Sequence, residues 1–178
     1  MPPSWTSMTS CWPMGTTDLS RERGVIGDGL PRTVSEVRAE QLMRRALEVA
    51  EQTPAGDIPV GAVVFGPDDK VIAAGVNRVM PHATSLAHAE NMAYMLAQQR
   101  LQTPRLNAVL SPVTLATSSQ PCCQCYGATV WAGIDRLLIG ARAEDVEALT
   151  TFDEGPLPAD WVGELEQRGI AVLREAVD

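Results

Sequence analysis

The sequence predicts a three-layer α/β/α domain built round a central mixed sheet of about five strands, and three observations carry that expectation. The chain has 178 residues, 45% hydrophobic and 20% charged, which is enough to bury one sizeable core and short for two. Two short apolar runs flank a turn and read as a hairpin, and after it strand and helix patterns alternate. Such alternation needs a sheet covered by helices on both faces. No run of about 18 apolar residues occurs, so no membrane-spanning helix is expected.

Residues 1–32 are rich in Pro, Ser, Thr and Gly, carry no apolar period, and are expected to form a disordered extension. The ordered domain is expected over residues 33–178. It opens with Thr33-Val-Ser-Glu36, the pattern of a capping box, and a helix should run from there to about Gln52. Val37, Leu42, Ala46, Val49 and Ala50 fall on one stripe of that helix, while Arg38, Arg44, Arg45 and Glu48 face water. Pro59 to Phe65 and Lys70 to Val76 flank Gly-Pro-Asp-Asp and form the hairpin. A helix fits His88 to about Arg100, a strand Val113 to Thr117, a helix Cys122 to Ala132 and a strand Arg136 to Gly140. Helices over Ala143 to Leu149 and Ala159 to Gln167 precede a last short strand, Ile170 to Leu173.

Three of the four cysteines, Cys122, Cys123 and Cys125, lie within four residues. That is crowding for metal or redox chemistry in a reducing compartment rather than a disulfide framework. With no basic start followed by an apolar stretch near the N-terminus, export is not expected and the cytoplasm is. At the start of a helix, Cys122 and Cys125 project from one face, where two thiolates can chelate one tetrahedral ion. Pro121 suits the helix start because it needs no donor, and the positive end of the helix favours the thiolate. His88 supplies a third ligand, leaving the fourth position open, as in catalytic rather than structural zinc sites. Glu90, two residues on, stands near enough to take a proton from a water that such an ion has acidified.

His-x-Glu followed by Pro-Cys-x-x-Cys is the known signature of zinc nucleobase deaminases, and here the match is complete. Either half alone is weak, because a bare CxxC is more often a redox pair or half of a structural zinc site. A structural zinc or dithiol interaction module therefore stands as the reading of another class. It needs a fourth ligand from Cys11, Cys123 or His82, none of which has suitable spacing. Cys123 reads as a small buried apolar residue, Met92 and Met95 as core, His82 as surface, and Trp131 as either core or pocket wall.

With those residues in hand, the chain resembles the cytidine deaminase-like superfamily, and within it the bacterial nucleoside deaminase and guanine deaminase branch. The resemblance runs from about residue 36 to 174 and includes Gly-Ala-Val-Val in the first strand, Asn77, and Tyr126-Gly-Ala-Thr-Val-Trp-Ala-Gly-Ile134. Arg142-Ala-Glu-Asp-Val-Glu-Ala148 and Thr151-Phe-Asp-Glu-Gly-Pro156 are similar to the C-terminal segment of guanine deaminases. The resemblance implies one zinc per chain on His88, Cys122 and Cys125, with Glu90 carrying protons from water to the departing amine. It also implies that Asn77 and the Ala89 backbone hold the base, that Phe152 stacks on it, and that Glu154 is a second proton-carrying carboxylate. Asp153 and Glu154 equally suit an acidic turn before the next helix. A homodimer is implied as well. Gln120 precedes Pro121 where many members have Glu, which leaves guanine, related aminopurines, triazines and pyrimidines open as substrates.

The formal net charge is −8, and the acidic excess falls wholly after residue 142, where Arg168 and Arg174 are the basic residues. Most of these carboxylates read as a solvated face. The balance argues against a partner gripped through phosphates. A small nucleobase-like substrate is therefore expected, with deamination of tRNA adenosine or of cytosine or cytidine as the alternative.

Overall fold

The computed structural model describes residues 35–174. The extension expected over residues 1–32 and the cap expected at Thr33 lie outside them. Helix α1 spans Glu36–Ala50, two residues short of the expected end, and its cap is Ser35. The extended backbone of Ser35 lets its hydroxyl accept from the Arg38 amide at 3.4 Å. Glu36 is then the first helical residue, where its charge suits the helix dipole, rather than the third residue of a capping box.

Strands β1 (Gly61–Phe65) and β2 (Val71–Val76) form the hairpin. A four-residue helix α2 (Val79–His82) follows, then α3 (Ala89–Leu101), a 3-10 turn at Leu106–Ala108, β3 (Thr114–Ser119), α4 (Cys123–Ala132) and β4 (Arg136–Ala141). The described chain continues with α5 (Ala143–Leu149), α6 (Trp161–Gln167) and β5 (Ala171–Leu173). The sheet order is β2-β1-β3-β4-β5, with β1 antiparallel to both neighbours and β3, β4 and β5 parallel. The mixed five-stranded sheet expected from the sequence is therefore present.

Period-two alternation in β1 divides the core between two layers. Val63 and Phe65 pack with Ala39, Leu42, Met43 and Ala46 of α1, and Ala62 and Val64 pack with Ala89, Ala93, Tyr94 and Ala97 of α3. The small residues of α3 bring its backbone onto β2 at Gly75. A Cβ there would stand within 2.5 Å of the Ala93 nitrogen and closer still to the Ala89 carbonyl oxygen. This corrects the expectation for the methionines: the alanine stripe faces the sheet, so Met92 is partly buried and Met95 is 51% exposed. Trp131 and His82 are exposed. No helix among the described residues is long and apolar enough to cross a membrane.

Candidate active site

Two helix N-termini meet at one corner of the sheet. His88 caps α3 and Cys122 caps α4, both with extended backbones (φ −68°, ψ 155° and φ −66°, ψ 174°). The expected helix start thus moves by one residue: Pro121 stands before the cap, Cys122 is the cap, and Cys123 opens the helix. The extended ψ of Cys122 keeps it out of the helix proper, yet the cap and the third helical residue still share a face. Cys125 therefore remains beside Cys122.

His88 Nδ1 lies 3.4 Å from Cys122 Sγ and 3.6 Å from Cys125 Sγ. Tetrahedral zinc with ordinary Zn–S and Zn–N bonds sets its sulfur and nitrogen ligands about 3.6 Å apart, so the donor set and its spacing fit that ion. Among the described residues, these three alone form a cluster of at least three potential ligands. His82 and Cys123 are exposed and outside it, and Cys11 lies outside the described residues. The expectation that Cys123 is buried is overturned because, as the first residue of α4, it projects away from the metal face.

Glu90 sits in the first turn of α3 and is 3% exposed. The Thr117 hydroxyl donates to Glu90 Oε1 at 3.1 Å and the Cys125 thiol donates to Oε2 at 3.4 Å. Behind the site, Tyr94 Oη lies 2.7 Å from Thr129 Oγ1, which donates to the Cys125 carbonyl at 2.8 Å, tying α3 to α4.

Crowding sets the electrostatics. Hydrogen bonding from Cys125, with a lesser contribution from His88, pulls the Cys122 thiol down to about 4, against the opposing effect of burial. The same proximity to Cys122, with burial adding to it, pushes the Cys125 thiol up, so the pair shares one proton. The hydrogen bond with Cys122 raises the His88 pKa, and burial raises that of Glu90. Burial, then the charges of Cys122 and Glu90, push Glu154 up to about 7 while His88 opposes them.

These groups open onto a cavity of about 400 Å³ lined by His88, Glu90 and Cys122, and also by Asn77, Ala89, Phe152 and Glu154. Every residue that the sequence suggested for the site is therefore gathered at one place. Asn77 is locked by its own bonds, donating to the Ile58 carbonyl at 3.1 Å and accepting from the Val79 amide at 3.4 Å. The Phe152 ring stands 6.4 Å from the His88 ring at 52°. Glu154 is 6% exposed, and its carbonyl accepts from the Cys123 amide at 2.8 Å. Phe152 and Glu154 line the cavity of their own chain.

Sequence reasoning missed Thr117, and it weighed Gln120 only as a departure from the family pattern beside the site. Gln120 lines the cavity and accepts from the Ala143 amide at 3.5 Å. Both belong to the polar run Thr117-Ser-Ser-Gln120 at the C-terminal end of β3, the end at which sheets with parallel strands place ligands. That run was the available signal.

The family pattern described as the cytidine and deoxycytidylate deaminase zinc-binding region matches residues 36–141. A solved structure of NE0047 in complex with 2,6-diaminopurine is 45% identical, with TM-score 0.74, covering 78% of this chain and 74% of that one. A guanine deaminase from Nitrosomonas europaea is 40% identical with TM-score 0.73, covering 85% and 91%. Among curated proteins, a probable cytosine deaminase of Schizosaccharomyces pombe is 32% identical over 72% of this chain and 75% of its own. A tRNA-specific adenosine deaminase of Haemophilus influenzae is 38% identical over 57% of each. The chain spans only 26% of the length of a matching tRNA(Ile)-lysidine synthase of Deinococcus deserti. With its ligand triad, its buried glutamate and more than half its length matched, the chain belongs to the cytidine and deoxycytidylate deaminase zinc-binding family.

Proposed function

We propose that this chain hydrolyses the exocyclic amine of a free aminopurine base of the guanine type, converting ring C–NH2 and water to ring C=O and ammonia. The observation that carries the substrate class is the placement of Phe152 and Glu154 in the same cavity as His88, Glu90 and Cys122. An aromatic face and a second carboxylate there suit a flat bicyclic ring. Similar structures of NE0047 hold 2,6-diaminopurine and 8-azaguanine, and guanine deaminases from N. europaea and Bacillus subtilis are alike in fold.

His88, Cys122 and Cys125 would hold a zinc ion, which would supply a Lewis acid able to bring the pKa of water from about 15.7 toward about 7. Glu90 takes the proton of the attacking water. Thr117 occupies Oε1, and Cys125 as a thiolate ligand would no longer donate to Oε2, so the proton goes to Oε2. The same carboxyl returns that proton toward the ring. Ammonia leaves only after its nitrogen has gained a proton, and one carboxylate pinned at the metal cannot easily serve both sides of a bicyclic ring. Glu154, which lines the same cavity, serves as the second carrier. Asn77, its amide held by Ile58 and Val79, and the Ala89 backbone hold the base edge, while Phe152 lies against its face. Exposed Leu86, Met95 and Trp131 border one hollow on α3 and α4 and support a homodimer.

The test is an ammonia-release panel on the zinc-loaded protein with guanine, 2,6-diaminopurine, ammeline, cytosine, cytidine, adenine and an anticodon stem-loop, run with Glu154→Gln alongside. Guanine or 2,6-diaminopurine should be preferred, with Glu154→Gln slower by at least about tenfold. Preference for the stem-loop, falling steeply with added salt, would transfer the chain to the tRNA-editing class.

A further inference from the structure

We propose that the backbone amide of Cys123 is a positioning group that seats Glu154 in the cavity, so that the helix start supplying two metal ligands also holds the second proton-carrying carboxylate. This rests on the reading of Glu154 as a carrier. The seat is made of few parts. Helix α5 contributes no buried residue, and Thr150, Thr151 and Asp153 are exposed, whereas Glu154 is buried. The chain is half-buried at Phe152 and becomes buried at Glu154, where the Cys123 amide donates to its carbonyl at 2.8 Å. Cys123 is the first residue of α4, and an amide there has no partner within the helix. The bond satisfies a donor that otherwise needs water.

Gly155 completes the turn. Its φ of +73° is one that side-chain-bearing residues rarely adopt, and a Cβ there would stand 2.8 Å from Cys123 Sγ. The Asp153 carboxylate accepts from the Gly155 amide at 2.7 Å and tightens the same bend. Cys122 and Cys125 at the start of α4 face the metal site, and the Cys123 amide between them holds Glu154. One turn of chain therefore places two metal ligands and the seat of the second carboxylate.

Cys123→Pro deletes only the donor. Proline suits the first helical position, and the extended backbone of Cys122 is the conformation a residue before proline prefers. Cys123→Ala keeps the amide and serves as the reference. With zinc content equal in the two, Cys123→Pro should have a kcat about fivefold lower than Cys123→Ala, with KM changed less. Amide exchange over residues 150–155 should be faster. Gly155→Ala, which keeps the Cys123 donor but strains the turn and crowds it against the Cys123 side chain, should shift kcat and exchange the same way. Equal kcat and equal exchange in the Pro and Ala variants would overturn the seat while leaving Glu154 a carrier. Faster exchange with unchanged kcat, in a protein where Glu154→Gln is also fully active, would remove the carrier role and the catalytic meaning of the seat with it.

Discussion

The metal corner and the segment that follows β4 are built on opposite terms. Glu90 and Cys125 lie in the core, the first on α3, whose backbone packs against β2, and the second on α4, which is tied to α3 through Tyr94 and Thr129. Helix α5 buries nothing, and Leu149 at its end is 87% exposed. The family pattern stops at residue 141, at the boundary between the two regions. The lesson is a division of labour. Donors for a metal and a proton must be held to a few tenths of an ångström and so are placed where packing over-determines them. Side chains that face the substrate can ride on a segment fastened at a few points, and that segment is free to differ between relatives with different substrates.

The contrast can be broken most sharply at Glu90. Glu90→Gln keeps the shape and the Thr117 contact but cannot carry a proton, so ammonia release should fall about a thousandfold with zinc content unchanged. Undiminished release would refute the assignment. Gly75→Ala attacks the packing instead. Its Cβ would collide with the α3 backbone just beyond His88, and a backbone cannot rotate away, so a loss of about 3 kcal/mol in urea unfolding is expected, with weaker zinc retention.

A smaller effect concerns pH. The Cys122 and Cys125 pair holds one proton near neutrality, with Cys122 pulled down to about 4 and Cys125 pushed up by its neighbour and by burial. Zinc must displace that proton and, at the acid end, the imidazole proton of His88, whose pKa is raised, so apparent affinity should rise at least about tenfold per pH unit between about pH 6 and 8 in chelator competition, more steeply toward pH 6. A flat profile would mean that both thiols are already ionised in the metal-free chain. The smallest change belongs to the other region: Leu149→Ser should leave stability within about 0.5 kcal/mol by the same urea measurement. A larger loss would show that α5 is buried in solution.

Much of this was legible in the sequence because the signals were local. Spacing alone put Cys122 and Cys125 on one face, and the short apolar run from Pro59 to Phe65 beside a turn announced one arm of the hairpin. What escaped was set by tertiary contact. The Met95 expectation failed because close approach to Gly75 selects alanines for the buried stripe, which an apolar count cannot anticipate. The cap at Ser35 and the shift of Pro121 outside α4 are one- and two-residue boundary matters that only backbone angles resolve. Helix α2 and the turn at Leu106–Ala108 are too short to carry a period. Thr117 belongs to the site only because β3 passes beneath the start of α3, a pairing invisible to local pattern.

The central claim is that three side chains hold one ion and leave its fourth place to solvent. X-ray absorption at the zinc edge on protein purified without chelator tests it directly. The account predicts one zinc per chain with two sulfurs at about 2.3 Å, one imidazole nitrogen at about 2.0 Å and one further light-atom ligand lost to added cyanide. A third sulfur, a second imidazole, or a chain that purifies without metal would contradict it.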